Sequence, residues 1–161
     1  MLNIVLFEPE IPANTGNVVR TCSVTGCHLH LVKPLGFEID DKHLKRAGLD
    51  YWSSVDITIY ENIADFFDKN KNGVFFFASS KAPAAYHEVS YSENCYLIFG
   101  KETKGIPENI LSEHYDECIR IPMINNARCL NLSNAVSIIT YEALRQLNFK
   151  GFKLSGKMLD E

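Results

Sequence analysis

The sequence predicts an α/β domain in which helices cover both faces of a mostly parallel β-sheet. Short apolar runs rich in β-branched and aromatic residues alternate along the chain with helical patterns. Parallel neighbours need crossover connections, and helices are the usual ones. The chain has 161 residues, of which 46% are hydrophobic and 22% charged, as is typical of one globular domain.

The first strand–helix–strand unit lies at the N-terminus. The apolar run Leu2–Phe7 predicts a strand, and Asn14–Val24 predicts a helix that ends at Gly26. A glycine directly after a helical pattern is typical of a C-terminal cap, because glycine adopts the left-handed backbone at low cost. The run His28–Lys33 then predicts a second strand.

The same alternation continues after this unit. A short helix is predicted at Asp40–Ala47, with Asp40 as its cap and Gly48 at its end. The run Val55–Tyr60 predicts a strand, and Asn62–Lys69 predicts a helix.

The C-terminal half contains the most apolar strands and the longest helix. Val74–Ser79 and Cys95–Phe99 are continuous apolar runs, which predict strands buried on both faces. Pro107 can begin a helix that runs to about His114, because its fixed φ suits a first helical turn. Cys118–Met123 predicts the last strand and Leu132–Leu147 the last helix. The apolar stripe of that helix is Leu132, Val136, Ile139, Ala143 and Leu147.

Residues 1–150 are therefore expected to form one domain, followed by a polar, glycine-containing tail over residues 151–161. No apolar stretch approaches the roughly 18 to 20 residues of a membrane span. The start of the chain lacks the basic segment of a signal peptide. We therefore expect a cytoplasmic protein that does not bind a membrane.

Charge and cysteine content exclude further classes of protein. The net charge of -4 excludes a uniformly basic nucleic-acid coat protein, although a local basic patch remains compatible with it. The five cysteines include no C-x-x-C pair, which predicts reduced thiols rather than a disulfide framework or a zinc site. His28 and His30 are interpreted as packing or surface residues, because no further ligand set lies nearby.

Three loops that follow predicted strands are candidates for the functional site. In an open α/β sheet the ligand binds beyond the carboxyl ends of the strands. The three loops are dense in glycine, asparagine and charge: EPEIPANTGNVVR at 8–20, GKETKGIP at 100–107 and MINNARCLNLSN at 123–134. Neither G-x-G-x-x-G nor the spacing of a phosphate loop occurs, which disfavours a dinucleotide or nucleoside triphosphate. A nucleoside-like ligand held by loop backbone groups remains compatible with them.

Each polar residue of these loops also has a simple structural interpretation. Asn14 can be a helix cap, Arg20 an exposed helix residue and Glu102 a solvated turn residue. Asn131 and Ser133 precede the last helix, where such residues cap free N–H groups.

The combination of the three loops resembles the motifs of a known family. N-T-G-N-x-x-R at 14–20, L-I-F-G-K-E-T-K-G-I-P at 97–107, and I-R-I-P with L-N-L-S-N-A-V-S at 119–122 and 130–137 are similar to the three motifs of SPOUT-class (TrmH-like) RNA ribose 2′-O-methyltransferases. The match is closest to members that modify the tRNA wobble position. It covers nearly the whole chain, because residues 44–51 and 141–147 fit as well.

The resemblance implies a C-terminal trefoil knot, a homodimer and a reaction without a metal. It implies that the methyl group of S-adenosylmethionine moves to the ribose 2′-hydroxyl of cytidine or uridine 34, in the anticodon region of tRNA and specifically of leucine tRNAs. Two alternatives stay open: methylation of another RNA such as rRNA, and a non-catalytic α/β RNA-binding module.

The resemblance also implies which residues form the site. Arg20 matches the catalytic arginine, although an arginine, which rarely releases its proton, suits phosphate binding or alkoxide stabilisation at least as well as proton abstraction. The polar residues that organise the site would be Asn14, Glu102, Asn131 and Ser133. The cofactor would contact Ala78, Gly100, Ile121, Met123, Cys129 and Leu130, largely through backbone groups.

This chain departs from the family pattern at Cys129, where serine is usual, and at Lys101 and Lys104 in the second motif. The cysteine weakens a side-chain hydrogen bond to the cofactor, whereas the lysines retain or add positive charge beside the expected RNA face. The candidate RNA contacts are Lys42, Lys45, Arg46, Lys101, Lys104, Arg120 and Arg128. Ordinary solvated charges are the alternative for the first three.

Overall fold

A seven-stranded sheet lies at the centre of the computed structural model, which describes residues 1–39, 51–125 and 127–157. The strands follow the order β3-β2-β1-β6-β4-β7-β5, and all pairings between them in the described ranges are parallel. The strands are β1 (Asn3–Phe7), β2 (His28–Val32), β3 (Ile57–Tyr60), β4 (Phe75–Ala78), β5 (Ala84–Ala85), β6 (Tyr96–Phe99) and β7 (Cys118–Arg120). The predicted α/β class with a parallel sheet is confirmed.

Helices cover both faces of this sheet. They are α1 (Pro12–Thr25), α2 (Ile63–Lys69), α3 (Glu108–Glu113) and α4 (Leu132–Gln146), with short 3-10 helices at Trp52–Ser54 and Tyr115–Glu117. Helices α1 and α4 pack in one buried apolar cluster, and α2 and α3 pack in a second. Because side chains alternate along a strand, Ile4 and Leu6 of β1 join the first cluster, whereas Val5 and Phe7 join the second.

Most helix ends agree with the sequence prediction. Gly26 caps α1 with a φ of 68°. The Asn62 side chain caps α2 by accepting a hydrogen bond from the Asp65 N–H at 2.9 Å. Helix α1 begins at Pro12, before the predicted Asn14, because proline lacks the N–H that the first turn leaves unpaired.

The structure differs from the prediction at the last strand, and one predicted helix lies outside the described residues. The last strand was predicted over Cys118–Met123, but β7 ends at Arg120, so the prediction is wrong at its C-terminal end. Ile121 and Met123 leave the sheet and line a cavity instead. The helix predicted at Asp40–Ala47, with Lys42, Lys45 and Arg46, lies outside the described residues.

Contacts with the core continue after α4. The Phe149 N–H donates to the Leu144 carbonyl at 2.9 Å, and Phe149 and Phe152 pack against the first buried cluster. The two aromatic rings lie 5.9 Å apart between centroids. Within the described ranges, no helix has both the length and the apolar character that a membrane crossing requires.

His30 is a buried, hydrogen-bonded residue of the sheet, as its interpretation as a packing residue implies. Only 3% of its surface is exposed. Its Nδ1 lies 2.9 Å from the Tyr60 hydroxyl and its Nε2 lies 3.1 Å from Asn3 Oδ1. A neutral ring satisfies both contacts by accepting from the hydroxyl and donating to the amide oxygen. Burial, and secondarily the adjacent His28, lowers the pKa of His30 to about 3.

We expect His30 to make the fold sensitive to acid. In the unfolded chain the pKa of His30 is about 6.5, compared with about 3 in the native protein. Between these two pH values the unfolded state binds a proton that the native state does not bind, so acid favours unfolding. Between pH 7.5 and 5.5 this residue should lower the free energy of unfolding by about 1.4 kcal/mol. In a His30→Gln variant, the free energy of unfolding measured with urea should not show this pH-dependent decrease. The exposed His87, changed to glutamine, is the control and should retain the wild-type dependence.

Candidate functional site

Four loops meet at the carboxyl edge of the sheet and enclose a cavity of about 720 Å³. They follow β1, β6, β4 and β7, which are adjacent in the sheet. A volume of this size is typical of small-molecule sites. The loops after β1, β6 and β7 were predicted to form the site, whereas residues 79–81 after β4 were not singled out.

Each residue predicted to contact the cofactor lines this cavity. These residues are Ala78, Gly100, Ile121, Met123, Cys129 and Leu130. The buried side chains of Phe99, Ile119 and Ile139 contribute an apolar floor. Residues from opposite ends of the chain thus form one concave, mostly apolar surface.

Gly100 is required by the shape of the loop after β6. A Cβ atom at this position would lie 2.1 Å from the Gly105 carbonyl carbon and 2.2 Å from the Ile106 nitrogen. Gly105 itself has a φ of 68°, and its N–H donates to the Lys101 carbonyl at 2.8 Å. The group that approaches Gly100 closely is therefore the loop's own backbone.

A chain of hydrogen bonds joins the polar residues of the three predicted loops. The Asn14 side-chain N–H donates to Glu102 Oε1 at 2.9 Å, and the Asn131 side-chain N–H donates to Asn14 Oδ1 at 2.9 Å. Asn131 Oδ1 accepts from the Ser133 hydroxyl at 2.7 Å and from its backbone N–H at 2.9 Å. Asn14, Glu102 and Asn131 line the cavity, while Ser133 is buried behind them.

These contacts decide between the interpretations that the sequence left open. Asn14 is not a helix cap, because α1 has Ile11 at its N-cap and the Asn14 side chain points to Glu102 and Asn131. Glu102 is not a solvated turn residue, since it also accepts from the backbone N–H groups of Glu10 and Ile11. Asn131 does cap α4, so one side chain both caps the helix and belongs to the site.

The loop after β6 is also fastened to the loop after β1 by charge. Lys101 Nζ lies 2.6 Å from a Glu8 carboxylate oxygen, and the exposed fraction of both side chains is 23%. The hydrogen bond to Glu8 raises the pKa of Lys101. The Thr103 hydroxyl donates to Glu10 at 2.8 Å. The charge of Lys101, a candidate RNA contact, is therefore compensated within the protein, whereas Lys104 and Arg128 are exposed.

Arg20 lies apart from the other predicted site residues. It is exposed on α1, about 9 Å further along the helix axis than Asn14, since each residue adds about 1.5 Å. Its guanidinium carbon lies 5.5 Å from the centre of the Tyr51 ring, a cation–π arrangement. Arg20 does not belong to the described residues that line the cavity.

The cavity wall also contains an ion pair that was not predicted from the sequence. Lys81 follows β4, Glu108 begins α3, and the two side chains pair with each other. Both line the cavity. The available signal was the position of Lys81 after the apolar strand β4, because every such loop reaches the same edge of the sheet. Within the described ranges, no three His, Cys, Asp or Glu residues are grouped as a metal site requires.

Comparison with known proteins identifies close relatives. Residues 1–141 match the model of the SpoU rRNA Methylase family. The chain is 51% identical over 154 residues to the tRNA (cytidine(34)-2′-O)-methyltransferase of Saccharophagus degradans. The matched region covers 95% of this chain and 100% of the relative.

Two solved structures extend the comparison. A structure described as "Structural insights into the 2-OH methylation of C/U34 on tRNA" is 43% identical, with a TM-score of 0.87 and coverage of 92% of this chain and 97% of that chain. An AdoMet-bound rRNA methyltransferase from Sinorhizobium meliloti is 25% identical, with a TM-score of 0.80 and coverage of 91% and 56%.

Proposed function

The chain belongs to the SpoU rRNA methylase family, and we propose that it methylates the ribose 2′-hydroxyl of nucleotide 34, cytidine or uridine, in tRNA, with S-adenosylmethionine as the methyl donor. Relatives that match nearly the whole chain carry this activity in their names. The observation that carries the proposal is the cavity that joins all the predicted cofactor residues to Asn14, Glu102 and Asn131.

The cavity fits an adenosyl cofactor. Its volume of about 720 Å³ and its apolar floor suit a nucleoside, and Gly100 keeps the loop after β6 narrow where a Cβ would collide. A relative with the same fold binds AdoMet. When bound, S-adenosylmethionine supplies a methyl group on a positively charged sulfur, so the protein must position the ribose hydroxyl and ease the loss of its proton.

We propose that the polar chain positions the reacting groups. Asn14, Glu102 and Asn131 connect the loops after β1, β6 and β7 through bonds of 2.9 Å, which holds the three walls of the cavity in one arrangement. Ser133 supports Asn131 from behind. We propose that Arg20 binds a phosphate or stabilises the developing alkoxide. Its planar guanidinium can bind a phosphate through two hydrogen bonds, and its exposed position suits contact with RNA.

A homodimer is part of the same proposal. Val24 of α1 and Ile138 and Tyr141 of α4 are apolar side chains with 59%, 36% and 45% of their surface exposed. Helices α1 and α4 pack side by side, so these residues are candidates for a shared contact surface. Sedimentation of the active enzyme tests this, and a fully active monomer would contradict it.

The remaining family features are proposed on family membership. They are a trefoil knot that places the C-terminal segment through a loop, recognition of the anticodon region, a preference for leucine tRNAs and a cytoplasmic location. Convergence of the loops after β4, β6 and β7 on one cavity is compatible with the knot. The polar loops beside exposed Lys104 and Arg128 are compatible with tRNA binding, which should weaken as salt concentration rises.

The test of function is methyl transfer from labelled S-adenosylmethionine to total tRNA that lacks 2′-O-methylation at position 34. Nuclease digestion and nucleoside analysis should identify labelled 2′-O-methylcytidine or 2′-O-methyluridine at that position. Label in ribosomal RNA but not in tRNA would favour the other substrate class that the family description names. Cofactor binding without transfer to either RNA would support a binding module.

The thiol of Cys129 offers a separate test of the cofactor cavity. It is exposed and lines the cavity, whereas Cys22, Cys27, Cys95 and Cys118 are buried. We expect N-ethylmaleimide to modify Cys129 first, and saturating S-adenosylhomocysteine to slow this reaction about tenfold or more by covering the thiol. Mass spectrometry measures the rate, and Cys129→Ser is the control that should resist modification. An unchanged rate of modification in the presence of S-adenosylhomocysteine would show that the ligand binds away from Cys129.

A further inference from the structure

The ion pair Lys81–Glu108 lies on a different side of the cavity from Asn14. Lys81 follows β4 and Asn14 follows β1, and β6 lies between these strands. Adjacent strands are about 4.8 Å apart, so the two loops leave the sheet about 10 Å from each other. Asn14 lies on α1 and Asn131 caps α4, and both helices pack in the first buried cluster, whereas Glu108 begins α3, which packs in the second. The hydrogen-bonded chain and the ion pair therefore belong to helices on opposite faces of the sheet.

A smaller cavity of about 130 Å³ adjoins the main one at this ion pair. Lys81 and Glu108 line both cavities, and so do Ser79 and Leu111. The remaining walls of the smaller cavity come from Ser112, Tyr115 and Cys118. Lys81 and Glu108 are thus the charged residues of a recess whose other walls are neutral.

The ion pair is open to a ligand. The exposed fractions are 64% for the Lys81 side chain and 76% for Glu108, compared with 23% for both members of the pair Lys101–Glu8. An ion pair this exposed contributes little to folding stability. The hydrogen bond from Lys81 lowers the pKa of Glu108. The pair can therefore exchange partners with a ligand at small cost to the fold.

We propose that Lys81 and Glu108 bind the amino-acid end of S-adenosylmethionine, an inference that rests on the proposed function. That end carries a carboxylate and an ammonium group on one carbon. Lys81 Nζ meets the carboxylate and Glu108 meets the ammonium, so each protein charge exchanges one opposite charge for another. The ligand's zwitterion and the ion pair are both neutral overall, and the smaller cavity has room for this end of the molecule. The adenosyl part then occupies the apolar main cavity.

The test compares two ligands that differ only in this end. S-adenosylhomocysteine has the amino-acid end, and 5′-methylthioadenosine lacks it but keeps the adenosine and the sulfur. Isothermal titration calorimetry should find that Lys81→Met and Glu108→Gln each weaken S-adenosylhomocysteine binding about tenfold, as expected for loss of a hydrogen bond between charged groups. Both variants should bind 5′-methylthioadenosine like the wild type. Lys71→Met, which removes an exposed lysine that pairs with Asp68 and lines neither cavity, should leave both affinities unchanged.

The possible outcomes separate this inference from the proposed function. If both variants bind S-adenosylhomocysteine with unchanged affinity, the ion pair does not bind the ligand. This result would overturn the inference but not the proposed function. Equal weakening of both ligands would mean a disturbed main cavity and would also overturn the inference. A wild-type protein that binds neither ligand would overturn the proposed function, and this inference with it.

Discussion

Arg20→Ala is expected to abolish methyl transfer to tRNA while leaving the cofactor cavity intact. The side chain is exposed on α1 and lies outside the residues that line the cavity, so its loss removes no wall of that cavity. Removal of a charge that stabilises a developing alkoxide or holds a phosphate should lower kcat about 100-fold or more. Single-turnover methylation measures this loss, and calorimetry with S-adenosylhomocysteine should give an affinity within about twofold of the wild type.

Two further variants define what Arg20 supplies. Arg20→Lys keeps the charge but loses the planar fork that binds phosphate in two places, so it should recover only part of the activity. Arg145→Ala is the matched control, because Arg145 is an exposed helix arginine that pairs with Glu142 on α4. It should methylate at the wild-type rate. Weak cofactor binding by Arg20→Ala would contradict the assignment, since it would show that Arg20 supports the cavity itself.

Gly100→Ala is expected to destroy cofactor binding and to destabilise the protein. The added Cβ would lie 2.1 Å and 2.2 Å from backbone atoms of Gly105 and Ile106, so the loop after β6 must move. Backbone atoms cannot rotate away as a side chain can, and crowding of this kind costs about 1 to 3 kcal/mol. The same movement should separate Glu102 from Asn14 and from the N–H groups of Glu10 and Ile11. Urea unfolding and calorimetry with S-adenosylhomocysteine measure the two effects.

Two other glycines separate steric crowding from backbone conformation. Gly105→Ala adds a Cβ with no atom within 4 Å, but its φ of 68° costs about 1 kcal/mol for a residue with a side chain. Gly156→Ala meets neither obstacle and should behave like the wild type. Wild-type affinity for S-adenosylhomocysteine in Gly100→Ala would show that the loop adjusts without opening the cavity.

Most strands and helices, and the site loops, were predictable because their signals are local, whereas the two-residue strand β5 was not predicted. The apolar run Cys95–Phe99 contains β6, Gly26 ends α1, and Asn62 caps α2, and each of these features depends on residues close together in the chain. The position of the site followed from the same local information, since loops at the carboxyl ends of parallel strands meet at one edge. The polar residues of the motifs can therefore be assigned to the carboxyl edge of the sheet before any contact between them is known.

Partners of charged and polar side chains were not predictable in this way. Glu102 and Asn14 are 88 residues apart in the chain, and Asn131 and Asn14 are 117 apart. Which loop a side chain meets depends on the order of strands in the sheet, and that order separates β1 from β4 by β6. Lys101 was expected to contribute charge to an RNA face, yet it pairs with Glu8 because the loops after β1 and β6 are neighbours.

The sequence by itself thus determined the α/β class, the course of most elements, the edge of the sheet that carries the site and, through its motifs, the family. Only the tertiary structure decided that Asn14 and Glu102 bind each other, that β7 ends at Arg120 and that Arg20 lies outside the cavity. It also decided that Lys81 and Glu108 share a recess. Periodicity and capping act over a few residues, whereas these contacts arise where distant loops cross the edge of the sheet.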